Sequence, residues 1–200
     1  HSSHTYLCGI LSFSVCTMFV ASGVDRQQLV DSMRGSTLVM TDVSVGNVGQ
    51  LSADLLIATY QMERVAFFDD DAVVPIIGAD AEGVVRTSLE LYRGKQGVFV
   101  LQQRSALVPS KTSGFCERMC KWIHSSGFKL VLFLTSLPSS IRVDRQLADQ
   151  GQQLSALCGL KGGASRARVE ELGWELLGVG DESLHHEAVA LREQTDAARG

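Results

Sequence analysis

Between Thr37 and Met62 the sequence TLVMTDVSVGNVGQLSADLLIATYQM changes its hydrophobic period from two to about 3.6 across a pair of glycines. Leu38 to Val45 is rich in β-branched and apolar residues, as a strand buried on both faces requires. From Val48 the apolar positions fall at Leu51, Leu55, Ala58 or Thr59 and Met62, one stripe along a helix. Asn47 is placed to cap that helix and Gln50, three residues on, to complete a variant capping box. Gly46 and Gly49 allow a sharp turn and a close approach of helix to sheet. A strand, glycine turn and helix N-terminus is also how many α/β folds hold phosphate. Here the three-glycine fingerprint and a following Lys-Ser/Thr pair are both missing, so tight packing is the preferred reading of Gly46–Gly49.

Two hundred residues with 45% apolar and 20% charged content form one domain with its own core. A net charge of -4, no Lys/Arg cluster beyond a pair and few aromatics argue against a nucleic-acid partner. Cys8, Cys16, Cys116, Cys120 and Cys158 are odd in number and contain no C-x-x-C pair, which suits reduced thiols in the cytoplasm or nucleus. Cys116 and Cys120 stand four apart on an expected helix, but no neighbouring His or Cys completes a metal site, so no metal or other cofactor is expected.

Residues 1–17 lack a basic n-region and are too short and serine-rich to span a bilayer; they read as a non-native upstream segment, either translated upstream sequence or a cloning remnant, with no membrane association. Asp25 to Arg34 reads as a polar surface connection. Val65–Phe68 is a second buried strand, closing a βαβ unit with a right-handed crossover. The triplet Asp69, Asp70, Asp71 reads as a solvated loop. Val73 to Gly78, with Pro75, leads over a loop at Ala79 to Gly83. Val84 to Tyr92 alternates, with Val85, Thr87, Leu89 and Leu91 on one side and Arg86, Ser88, Glu90 and Tyr92 on the other, as a half-exposed antiparallel strand does. Arg93 to Gly97 turns it into Val98–Arg104 as a hairpin. A helix starts at Ser113 or Gly114, carries Phe115, Met119, Trp122 and Ile123 inward, and stops at Ser125-Ser126-Gly127. Lys129 to Thr135 reads as a central strand, Ile141 to Ala164 as a surface excursion, and Ser165 begins a helix through Val169, Leu172 and Leu176 to Gly178. The fold class is therefore α/β: a mixed sheet with a parallel βαβ core, an antiparallel hairpin and helices on both faces.

SVGNVGQL, Asp54 to Ile57 and Met62, followed by Leu101-Gln102-Gln103-Arg104-Ser105, Phe115-Cys116-Glu117, Trp122 and Ser125-Ser126-Gly127, resemble the proteasome assembly chaperone 2 family in order and approximate spacing. The resemblance covers Met18 to Leu177 and is clearest from Val43 to Leu134. It sets residues 18–178 as one domain and 179–200 as a divergent polar tail, in a C-terminally short form whose Ala197–Gly200 end lacks the apolar or aromatic terminus expected for docking. It implies a non-enzymatic chaperone of the cytoplasm and nucleus. That chaperone pairs with proteasome assembly chaperone 1, engages 20S α-type subunits, helps them form a ring and prevents wrong ring pairing. The alternative is an α/β enzyme or binding module of nucleoside-phosphorylase-like fold, holding nucleotide or phosphate at Gly46–Gly49.

Overall fold

The computed structural model describes residues 17–79 and 83–136 and, further along, 155–156, 167, 171–173 and 175–176. They belong to two units divided after Leu137. The first unit is built on eight strands: β1 (Thr17–Val20), β2 (Thr37–Thr41), β3 (Glu63–Asp69), β4 (Ile77–Ala79), β5 (Val85–Thr87), β6 (Leu89–Arg93), β7 (Val98–Gln103) and β8 (Leu130–Leu134). Its helices are α1 (Arg26–Met33), α2 (Val48–Thr59) and α3 (Thr112–Ser126). Six strands form one mixed sheet in the order β1-β3-β6-β7-β2-β8. β2 runs parallel to both β7 and β8, whereas β6 is antiparallel to β7 and β3, and β3 to β1. β2 and β3 thus share a direction, as the βαβ reading requires, with the β6–β7 hairpin inserted between them.

Strand alternation sends side chains to two faces, and helices cover both. Leu38, Met40, Leu91, Phe99 and Leu101 meet Leu29 and Met33 of α1 and Phe115 and Met119 of α3. The interleaved Val39, Tyr92 and Val100 meet Ala53 of α2. Trp122 extends the first core edge-on, with ring centroids 5.0 Å from Phe68 and 5.6 Å from Phe128. α3 closes at Gly127, whose φ of 71° is left-handed and whose N–H reaches the His124 carbonyl.

Several expectations are corrected here. Asp25 to Arg34 is not a surface connection but α1. Asp25 accepts from the Gln28 amide at 2.7 Å, Val24 packs beside the core ahead of it, and Leu29 and Met33 are wholly buried. This is a capped helix with a hydrophobic staple, and each buried side chain contributes about 1.5–3 kcal/mol. The acidic triplet is not simply solvated. Asp70 is buried and takes a two-pronged contact from Arg118 at 2.8 and 2.5 Å while accepting from the Ala72 amide. Strand β2 stops at Thr41, short of Val45, because the chain enters a 3-10 turn at Val45–Asn47. Among the described residues β8 lies at the sheet edge, with Leu130 to Phe133 exposed, rather than in the centre.

In the second unit β9 (Ser155–Ala156) pairs in parallel with β10 (Glu175–Leu176). The expected excursion therefore holds a strand. The expected helix does not reach Leu176, because the chain turns at Leu172-Gly173, with Gly173 at φ 67°. The readings for residues 1–16, Val169, Gly178 and the 179–200 tail lie outside the described residues.

Candidate functional site

At the Gly46–Gly49 turn, Gly46 has φ 67° and Asn47 φ 56°, a left-handed pair that redirects the chain from β2 into α2. The capping box is not formed. Asn47 makes no side-chain cap bond, and the Gln50 amide donates instead to the Arg104 carbonyl at 3.0 Å. A left-handed Asn47 aims its side chain away from the first amides of the helix. A Cβ at Gly49 would lie 2.8 Å from the Leu134 carbonyl oxygen and 3.0 Å from that of Asp42, so helix and sheet meet there with no room to spare. These are acceptor oxygens, with the Asp42 carboxyl beside them, an unfavourable lining for an anion.

A larger assembly of charge lies on the α2 face of the sheet. Alternation puts Glu90 and Tyr92 of β6 on that face beside Gln102 of β7, and all three are buried, not solvated as a half-exposed strand would have them. The interruption at Ser88 also divides the expected single strand into β5 and β6. One Glu90 oxygen accepts from Arg64 at 2.6 Å and from the Thr87 amide at 3.1 Å; the other accepts from the Tyr92 hydroxyl at 2.7 Å. Tyr92 in turn accepts from Arg86 at 2.7 Å. Arg104 donates to Gln102 at 2.7 Å and to Asp54 of α2 at 3.2 Å, and Gln102 donates to Asp54 at 2.7 Å. Burial raises the Tyr92 phenol above its ordinary value of 10.0, and its hydrogen bond to Glu90 adds to this, so the hydroxyl stays a donor. Glu90 has both oxygens engaged by donors and ties β3 and β5 to its own strand β6.

This network opens into a cleft of about 510 Å³ walled by Asp54, Ile76 to Ala79, Arg86 and Arg104. One wall is the antiparallel pair β4–β5, whose Ile77 is 79% exposed. The opposite side is α2. The stripe through Leu51 and Leu55 does not face the core: those residues are 56% and 68% exposed, and Gly49 and Ala53, with Leu56 and Ile57, pack inward instead. Cys116 and Cys120 are exposed free thiols; among the described residues no three potential ligands gather for a metal, and no helix is long and apolar enough to cross a membrane.

Of the residues singled out from sequence, Gly46, Asn47, Gly49 and Gln50 cluster at the turn, and Gln50 alone reaches towards the cleft through Arg104. Asp54, Arg64, Glu90, Tyr92 and Arg104 were not read as a site. The signal was the shared parity of Glu90 with Tyr92 and of Gln102 with Arg104 on adjoining strands.

The family model described as "PAC2 family" matches residues 38–195. Proteasome assembly chaperone 2 of Danio rerio is 36% identical over 165 residues, 78% of this chain and 62% of that protein. The Homo sapiens protein of the same name is 38% identical over 138 residues, 65% and 51% of the two chains. The chain thus spans roughly half to three-fifths of these relatives' length. In structure it is similar to Pyrococcus furiosus PbaA, an archaeal homolog of proteasome-assembly chaperone, with TM-score 0.60 and 18% identity over 74% of this chain and 61% of that one. It is also similar to P. furiosus PbaB, an archaeal proteasome activator, with TM-score 0.56 and 14% identity over 85% and 69%. At those identities the likeness is one of fold. Taken with the match over residues 38–195, it leaves one conclusion: the chain belongs to the PAC2 family.

Proposed function

We propose that this chain is a non-enzymatic chaperone of 20S proteasome assembly. It acts in the cytoplasm and nucleus as a heterodimer with proteasome assembly chaperone 1, helps α-type subunits close into a ring and keeps α-rings from pairing off the pathway. The observation that carries this reading is the 36–38% identity to relatives named proteasome assembly chaperone 2 over most of the chain. The exposed apolar side chains of α2 and β4–β5 are of the kind that binding surfaces display.

Co-expression of the full chain with proteasome assembly chaperone 1, followed by size exclusion and mass determination, tests it. A stable one-to-one complex is expected, and a folded chain that elutes alone overturns it. The nucleotide or phosphate alternative is tested by thermal shift. A ligand at a hundred times its dissociation constant stabilises by about 2.7 kcal/mol. Given the oxygen-lined turn at Gly49, no shift is expected with phosphate or ATP.

A further inference from the structure

Phe115 and Met119 bury the inner face of α3, and the residue after each, Cys116 and Cys120, is an exposed free thiol. Each thiol thus follows a side chain anchored in the core, on a helix of 15 residues, so its backbone has little freedom to move. Four positions apart on a helix, the two side chains are neighbours, with Cβ atoms about 5–6 Å apart. A disulfide needs about 3.5–4.5 Å, so the pair cannot close on itself without unwinding the helix. Two thiolates on one tetrahedral ion of the zinc class, each at about 2.3 Å from it, stand about 3.8 Å apart, which side chains leaning together from that spacing reach. The pair suits chelation rather than an internal disulfide.

Two ligands are half of what such an ion takes. His124 continues the exposed stripe, but it stands eight residues from Cys116, about 12 Å along the axis, too far to share one ion with both thiols. Among the described residues no three of His, Cys, Asp and Glu gather to hold one. The helix face itself accepts a second copy. Ser113 and both cysteines are small and exposed, so another backbone can come close. The flanking Glu117 and Lys121 pair with each other at 2.6 Å and cancel in charge. When two antiparallel helices are related by a two-fold axis midway between the thiols, Glu117 of one copy lies about 3 Å along the axis from the other copy's Lys121, so the flanks are complementary as well.

We propose that Cys116 and Cys120 form half of a four-thiolate site for a soft cation of the zinc class, completed by the same pair on a second copy of this chain across α3. Each thiol gives up its proton to solvent as its sulfur binds the ion, with no change of oxidation state, so binding strengthens as pH rises. The inference stands apart from the chaperone reading, since it uses neither the Arg104 cleft nor the exposed apolar residues of α2 and β4–β5.

The test uses the full chain, reduced with a phosphine so that no added thiol competes, and titrates it with Zn2+ and with Cd2+ as the spectroscopic probe. Cadmium–thiolate absorption in the near ultraviolet is expected to saturate at one ion per two chains, while sedimentation velocity shows monomer passing to dimer and a chelator reverses both. Cys116→Ser and Cys120→Ser each weaken binding about a hundredfold or more, since even groups that only support a ligand are worth about 10–100-fold. Both positions are exposed, so melting temperatures without metal stay near that of the unaltered chain. A chain with Cys8, Cys16 and Cys158 all replaced by Ser keeps both the ion and the dimer. One ion per chain with no dimer, or loss of binding in that triple variant, overturns the second copy's part. Binding that survives at full strength in Cys116→Ser and Cys120→Ser, or no binding at all, overturns the site.

Discussion

Glu90 is fully buried, yet it is ringed by donors from β3, β5 and its own strand, and this decides what its loss does. Replacing one partner of such a pair leaves the other charge poorly solvated, a larger effect than the net worth of the pair. Arg64 keeps some solvent contact, so Glu90→Gln is expected to cost about 3 kcal/mol in urea unfolding, the lower end for broken buried pairs. Tyr92 gives a pH signature. Its folded pKa lies above the unfolded 10.0, so folding favours the protonated phenol. That contribution is fully present below about pH 10 and is lost as pH rises from there through the folded value. Tyr92→Phe should therefore lose about 1 kcal/mol at neutral pH, where a hydrogen bond is missing, and show a shallower alkaline decline. Stability measured from pH 7 to 11.5 compares the two chains.

The elements differ in how openly the sequence displayed them. α3 was readable because Phe115, Met119, Trp122 and Ile123 form one apolar stripe on an otherwise polar helix, closed by a left-handed Gly127. In α2 the face was not, because VGQLSADLLIAT is apolar on both sides and periodicity cannot choose between them. Size decided: the small Gly49 and Ala53 let the helix approach the sheet, and the bulky Leu51 and Leu55 were left outside. α1 was missed because its polar residues hid Leu29 and Met33, although Asp25 and Gln28 marked its start. The cleft was half visible, since alternation put Arg86, Glu90 and Tyr92 on one face but could not show that α2 would cover it. Two substitutions test these elements. Asp25→Ala should destabilise by about 1 kcal/mol through the lost cap. Gly49→Ala gains about 1 kcal/mol of helix propensity. It must, however, push a backbone carbonyl off its 2.8 Å approach, and overpacking at about 1–3 kcal/mol outweighs that gain. A lowered chemical-denaturation midpoint is expected for both.

At the largest scale, among the described residues, the first unit leaves apolar surface on α2, on β4–β5 and along β8, where Phe133 is 55% exposed. An apolar strand edge invites pairing with other chains. The purified chain alone should therefore self-associate as its concentration rises. Phe133→Lys should suppress this in sedimentation velocity, with the melting temperature changed little, because the ring is already half in water. The hairpin lodged between β2 and β3 has a consequence in time. β6 and β7 are joined by a short turn and can pair at once, and β3 can follow. β2, made early, has both its neighbours far along the chain, in residues 98–101 and 130–134. Loop-closure entropy must be met before those contacts return anything, which slows folding. On the ribosome, then, β2 and the glycine turn behind it wait without a sheet partner until the chain has grown past β7, and among the described strands the β2–β8 pair at one edge of the sheet is the last to close.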